Sequence, residues 1–127
     1  MAPWCNRIRD AVFVWNNRQV ALKPDPRDGS AMHGDVRKRH FTILDRTPVS
    51  ARLRLNSRDF NDVNFPWPFI LTCRFEIDGH ALIHHIELTN TSDEPFPCGC
   101  GIHPYFPREQ GPSTKHVRIA VLGLRVS

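Results

Sequence analysis

The chain lacks any long hydrophobic run and any segment with sustained helical periodicity. Its apolar stretches fall well short of the roughly 18 residues that cross a bilayer, so we expect no membrane contact. The N-terminus, from Met1 to Arg7, has no apolar stretch of the kind found in secretory signals, which predicts a cytoplasmic protein. Eleven prolines among 127 residues also oppose the formation of long helices.

Cysteine is scarce, and its spacing does not match a zinc-binding framework. The four cysteines are Cys5, Cys73, Cys98 and Cys100. They contain a single C-x-C, whereas structural zinc sites use paired C-x-x-C knuckles. Histidines such as His84, His85 and His103 leave a metal site open as an alternative. We favour free thiols in a reducing compartment and no metal, because a disulfide across so short a loop is strained.

The charge is only mildly positive, with a formal value of +4. One basic run, from Arg37 to His40, is the best local support for binding nucleic acid. The other basic residues are scattered, and residues 51–55 alternate them with apolar side chains as a solvated strand face does. The sequence therefore predicts no nucleic-acid partner.

Period-two patterning dominates the chain and predicts β-strands. Short strands are expected at residues 12–15, 20–22, 41–44 and 51–55, with a turn at 16–19. The clearest hairpin alternates apolar and polar residues from Phe69 to Ile77 and from Leu82 to Leu88, around a predicted Asp78-Gly79 turn. This pattern predicts a single all-β domain with an antiparallel β-sandwich architecture.

A glycine-interleaved run, from Cys98 to Phe106, contains the most informative candidate residue, His103. Glycines allow close approach of backbone or ligand, and Pro104 biases His103 towards an extended conformation. Tyr105 and Phe106 offer flat apolar faces that suit a sugar ring as well as a protein core. A strand end with a hydrogen-bonded histidine is the alternative; the local rigidity favours a positioned imidazole.

Three blocks of the chain, in order, resemble the aldose 1-epimerase (galactose mutarotase) family. The first is Trp4-Cys5-Asn6-Arg7-Ile8, and the second is Met32-His33-Gly34 followed by Arg37 and Phe41. The third comprises Phe65-Pro66-Trp67-Pro68-Phe69, the hairpin, the stretch from Leu88 to Pro97 and the stretch from Gly101 to Phe106. One block alone is a weak match, but three in order across most of residues 3–107 are a strong one.

The resemblance implies a β-supersandwich that binds an aldohexose such as glucose or galactose in a cleft on one sheet. It implies that His103 protonates the ring oxygen and that His33 is a second active-site histidine. It also implies that Asn6 and Arg7 hydrogen-bond sugar hydroxyls and that Tyr105 lines the sugar site. Anomer interconversion needs only proton transfer to open the hemiacetal, so no metal or organic cofactor is expected.

The chain also departs from the family pattern, because family members are about twice as long or more. Their base is a C-terminal glutamate, and nothing after Phe106 resembles that segment. Residues 108–127 hold one acid, Glu109, and an apolar stretch at 117–124 that is expected to form one strand. We therefore expect residues 1–127 to be one partial domain that is inactive alone and whose uncovered sheet edges favour self-association. Glu76 and Glu87 fit exposed strand carboxylates better than substitute bases.

Two other functions remain open at this point. A non-catalytic carbohydrate-binding β-sandwich would keep the sugar contacts without the base. A hexose-6-phosphate epimerase would use basic residues near His33 to hold a phosphate, the candidates being Arg37, Lys38 and Arg39. A solvated loop is the simpler interpretation of those three residues.

Overall fold

The computed structural model describes residues 1–105, and within them every sheet is antiparallel. The eight strands are β1 (Arg7–Ile8), β2 (Val12–Trp15), β3 (Arg18–Ala21), β4 (Ala31–Met32), β5 (Thr42–Arg46), β6 (Ser50–Asn56), β7 (Phe69–Asp78) and β8 (Ala81–Asn90). Helical structure in this part of the chain is limited to single 3₁₀ turns at Arg9–Ala11, Val36–Lys38 and Ser57–Asp59. The prediction of an all-β fold is confirmed.

The largest sheet has four strands in the order β5-β6-β7-β8. Its register pairs Leu71 with both Leu55 and Leu88, so one face of the sheet is apolar along three strands. This register confirms the alternation predicted for β7 and β8. The predicted turn is one residue early: Asp78 still pairs with Ala81, and the loop consists of Gly79, in a left-handed conformation (φ +58°), and His80.

A second hairpin joins β2 to β3 through Asn16 and Asn17. Both asparagines have positive φ, 49° and 57°, the combination required at the two central positions of a type I′ turn. Asparagine tolerates this conformation better than most residues. The turn is shorter than the predicted 16–19, because Arg18 and Gln19 already belong to β3.

The core packs these smaller sheets against the apolar face of the four-stranded sheet, an arrangement consistent with a sandwich. Phe69 is fully buried, and its backbone N–H donates to Ser57 Oγ at 2.8 Å. Around it lies an aromatic cluster. The centroid of the Phe65 ring is 5.3 Å from that of the Phe96 ring and 5.1 Å from that of the Trp67 ring. Burial of large rings such as these stabilises the fold.

The far end of the sheet is less well covered than the core. Three large apolar side chains there are more than half exposed, namely Val49, Ile77 and Leu82, and so is Ile43 in the edge strand β5. Within residues 1–105 the outer edges of β5 and β8 pair with no other strand. The predicted strand at 117–124 and Glu109 lie outside the described residues.

None of the described residues belongs to a helix with the length and apolar character needed to cross a membrane.

Candidate functional site

The N-terminal segment forms the frame of the candidate site. It pairs on one side with the glycine-rich run, through hydrogen bonds from Gly99 N–H to the Pro3 carbonyl (2.7 Å) and from Gly101 N–H to the Met1 carbonyl (2.9 Å). On its other side Ala2 forms a parallel bridge with Gly34. The Ala2 carbonyl accepts a hydrogen bond from the Asp35 N–H at 2.9 Å. Segments distant in sequence are thereby brought side by side.

Two glycines make this close approach possible. A Cβ on Gly34 would collide with the backbone carbonyl of Ala2, and Gly34 also has a left-handed φ of +72°. A Cβ on Gly101 would lie 2.8 Å from the Cys5 sulfur. The structure therefore gives a physical reason for glycine in both motifs, which is contact with the Ala2 backbone at Gly34 and with the Cys5 side chain at Gly101.

The short β1–β4 pair positions His33. Arg7 lies opposite Met32, and the ladder continues one step further because the His33 N–H donates to the Asn6 carbonyl at 2.8 Å. His33 itself has a left-handed φ of +60° and is followed by Gly34 in the same region. A left-handed backbone is uncommon for a non-glycine residue, although it is less rare for histidine, and it turns the chain sharply out of β4.

Three of the predicted site residues form a continuous set of rings. The His33 and His103 rings have centroids 5.7 Å apart and meet edge to face at 77°. The His103 ring stacks on Tyr105, with centroids 5.0 Å apart and planes 21° apart. His33 is half-buried, whereas His103 and Tyr105 are exposed. The geometry gives one shielded imidazole beside one accessible imidazole backed by an aromatic ring.

The electrostatic surroundings of His33 favour its neutral form. Partial burial lowers its pKa, and the nearby positive charges of His103, Arg37, Arg7 and the terminal amine lower it further. Its Nδ1 atom is buried, and no group among residues 1–105 hydrogen-bonds to it. A neutral imidazole has one N–H donor and one acceptor nitrogen, so the His33 ring can both donate and accept a hydrogen bond.

Arg7 is held in place from two sides. Its Nη1 donates to the Met32 sulfur at 2.8 Å, and its Nε lies 3.2 Å from a carboxylate oxygen of Asp28. Asp28 is itself fixed, because the Ser30 N–H and hydroxyl donate to it at 3.0 and 2.7 Å, and these bonds are the main reason its pKa is lowered. The guanidinium is thus oriented but still half exposed.

Asp28 is a residue that the sequence prediction missed. The spacing of Asp28 and Ser30 is the available signal, since an aspartate often accepts hydrogen bonds from a serine two positions later. Asn6, by contrast, was predicted as a sugar contact. The structure gives its backbone carbonyl a clear part in holding His33, and its side chain is exposed beside Arg7.

The other candidates lie elsewhere on the sheet. Glu76 forms an ion pair with Arg74 at 2.7 Å, and Glu87 is exposed on β8. His84 is on the apolar face, where its ring stacks on the Phe75 ring with centroids 4.1 Å apart and burial lowers its pKa. His85 is exposed on the opposite face.

All four cysteines have free thiols. In residues 1–105 no group of three His, Cys, Asp or Glu side chains is placed to hold a metal ion.

One comparison with known proteins identifies a family. The family profile described as aldose 1-epimerase matches residues 1–126. A protein of Escherichia coli strain K12, named uncharacterized protein YphB, is 27% identical over 108 residues, which cover 84% of this chain. The aligned region is 36% of that protein, so the chain spans only about a third of its relative's length. No solved structure matches the chain significantly.

Proposed function

Because the chain belongs to the aldose 1-epimerase family, we propose that it binds an aldohexose and supplies acid–base groups for interconverting its α and β anomers. The observation that carries this proposal is the contact between the rings of His33, His103 and Tyr105 beside an oriented Arg7. A stacked aromatic ring, an accessible imidazole and a fixed guanidinium are the groups that a hexose ring and its hydroxyls require.

In the proposed mechanism His103 acts as the general acid. Ring opening needs a proton on the ring oxygen while the anomeric hydroxyl loses its own proton, after which rotation about C1–C2 and closure give the other anomer. An imidazole titrates near neutral pH and can donate and recover the proton in each cycle. His103 is exposed and backed by Tyr105, so it can reach a bound sugar.

The remaining site residues bind and orient the sugar. His33 is held in its neutral form and would offer its imidazole for a hydrogen bond to the ring or to a hydroxyl. Arg7, fixed by Asp28, would donate to neighbouring hydroxyls from the part of its guanidinium that stays exposed. The Asn6 side chain would add a further contact from the same turn.

We assign no base to residues 1–105. The neighbouring charges that act on the pKa of His33 are all positive, so they identify no carboxylate base beside its ring. Glu76 is engaged in an ion pair with Arg74. General acid–base partners are each worth about 10²–10⁴-fold in rate. We therefore expect the 127-residue chain to bind the sugar but to convert its anomers slowly.

The test is two-dimensional exchange NMR of glucose anomers with the wild-type chain, His103→Ala and His85→Ala. We expect exchange slightly above the buffer rate for the wild type and for His85→Ala, the exposed control. His103→Ala should lose that excess while keeping its sugar affinity within about threefold, because a proton donor acts mainly in the transition state. Full activity in His103→Ala would contradict the proposed acid.

The same experiment separates the alternative function. A wild-type chain that binds glucose without any exchange above the buffer rate would favour a non-catalytic carbohydrate-binding domain. The observation that supports this alternative is the absence of an assigned base among the described residues.

A further inference from the structure

The two outer strands of the four-stranded sheet differ in how well their free edges are protected. Within residues 1–105, β5 and β8 each pair with one strand only. β5 has 5 residues, and its register shifts between Ile43 and Asp45, an irregularity of the kind that interrupts a sheet edge. β8 has 10 residues, pairs with β7 without such a shift and contains neither proline nor lysine. In the described part of the chain, β8 is therefore the edge that can accept another strand.

The hairpin register shows which backbone groups of β8 face this edge. The β7–β8 loop has two residues, so Asp78 and Ala81 form the hydrogen-bonded pair that closes it. Every second residue of β8 then directs its N–H and C=O groups towards β7. One step beyond the strand, the Thr91 N–H follows this pattern and donates to the Pro68 carbonyl at 3.1 Å. The residues that direct these groups outward are Leu82, His84, Ile86, Leu88 and Asn90.

The side chains of His85 and Glu87 lie on the polar face of β8, and both are exposed. Across the β7 pairing, Glu87 lies opposite Thr72, and His85 lies opposite Arg74, which is paired with Glu76. Within residues 1–105 Glu87 forms no ion pair. In the hairpin, therefore, neither His85 nor Glu87 lies directly opposite a group of opposite charge.

One symmetric pairing of two β8 strands brings these side chains together. A two-fold axis through Ile86 places His85 of each copy opposite Glu87 of the other, and it places outward-facing backbone groups opposite each other along the strand. An axis through His85 would instead pair two imidazoles, and an axis through Glu87 would pair two carboxylates. An axis between two residues would leave the outward-facing groups without partners in register. The sequence of β8 is thus complementary to itself about Ile86.

We propose that β8 is a dimerisation edge, at which two copies of the chain pair antiparallel about a two-fold axis at Ile86. The product is a continuous sheet with four strands from each copy and two His85–Glu87 contacts. An imidazole N–H donates to a carboxylate, and side chains come closest at pairs outside the hydrogen-bonded positions, which is where these contacts lie. The residues of the candidate sugar site lie outside β8, so this inference does not rest on the proposed function.

The first measurement follows the 127-residue chain on dilution, by sedimentation velocity and by amide hydrogen exchange in NMR. We expect a dimer that dissociates in the micromolar range, as is common for small interfaces. The amides of Leu82, His84, Ile86 and Leu88 should exchange about tenfold faster or more in the monomer, because their partners are on the second copy. The Ile83 amide bonds to β7, so its exchange should change little.

The second measurement reverses charges at the proposed contacts. His85→Glu should weaken dimerisation about tenfold, because it replaces two attractive pairs with two repulsive ones. The double variant His85→Glu, Glu87→Lys recreates opposite charges and should return to within about threefold of the wild-type affinity. The matched control is His40→Glu, which makes the same change just before β5, at the other edge of the sheet. It should change the affinity less than about twofold, since exposed charges far apart are screened.

A chain that stays monomeric at millimolar concentration would overturn the inference. Slow exchange of the outward-facing amides at every dilution would also overturn it, because it would indicate that a strand of the same chain, such as the one predicted at 117–124, covers this edge. A dimer that His85→Glu leaves unchanged, or that the double variant does not restore, would show that another surface joins the copies. Sugar binding is measured separately, so none of these results affects the proposed function.

Discussion

His33 combines an unusual backbone with an unusual side-chain environment. Its φ of +60° lies in the left-handed region, which costs a non-glycine residue of the order of 1 kcal/mol. Its buried Nδ1 has no hydrogen-bond partner among residues 1–105, which adds a desolvation cost. Two unfavourable features at one residue are typical of positions kept for ligand binding rather than for stability.

The first prediction concerns the titration of His33. Burial and the neighbouring cations lower its pKa below the ordinary value of 6.5. Proton NMR of the ring should show a midpoint below 6.5, and Arg37→Gln should raise it by removing one positive charge. A midpoint above 6.5 would contradict the described environment.

The same shift links His33 to folding stability. The unfolded state binds the proton more readily than the folded state, so the unfolded state gains protons first as the pH falls. The contribution of His33 to the free energy of unfolding is therefore complete above pH 6.5 or so. It is lost as the pH falls from the unfolded pKa of about 6.5 towards the lower folded value.

At the scale of single elements, an ion-pair network fixes the 3₁₀ turn at Val36–Lys38 to the loop that precedes β7. Asp35 accepts hydrogen bonds from Arg39 Nε at 2.8 Å and from the Asn64 N–H at 2.8 Å. Arg39 also pairs with Asp62, and its guanidinium lies over the Phe60 ring at 4.8 Å. Hydrogen bonding to Asp35 is the main cause that raises the pKa of Arg39.

The second prediction compares the two acidic partners of Arg39. The Asp35 side chain is 7% exposed and that of Asp62 is 72% exposed. Asp35→Ala should lower the free energy of unfolding by about 2–4 kcal/mol, because it leaves Arg39 largely buried without its main partner. Asp62→Ala should cost less than about 1 kcal/mol, as exposed pairs do. Urea unfolding measures both values, and equal effects would contradict the assigned burial.

Elements with strong patterning were predictable from the sequence, and short ones were not. The alternation of β7 and β8 predicted which side chains share the buried face, Leu71 and Leu88 among them, because one face must be buried. It did not fix the register, since the turn was predicted one residue early. The pairing of Arg7–Ile8 with Ala31–Met32 was not predicted, since two residues are too few to show a period. These are the strands that position the site, so His33 and Arg7 were found by family resemblance instead of periodicity.

At the scale of the whole molecule, the candidate site depends on contacts between distant parts of the chain. Its residues come from three separate places: Arg7 from the beginning of the chain, His33 from the first third and His103 from the end of the described part. They are brought together because the first residues of the chain pair with Gly99 and Gly101. Sequence spacing alone could not give that proximity. Self-association also belongs to this scale and stays a prediction, resting on exposed residues such as Ile77 and Leu82.

The most direct test of the account is a map of where a hexose binds. Glucose and galactose are titrated into the ¹⁵N-labelled 127-residue chain, and the amide signals are followed by NMR. We expect saturable shifts concentrated at Arg7, His33, Gly34, His103 and Tyr105, with affinity reduced by Arg7→Ala. Saturable shifts centred on His84 and His85, with the His33 and His103 signals unchanged, would contradict the site described above.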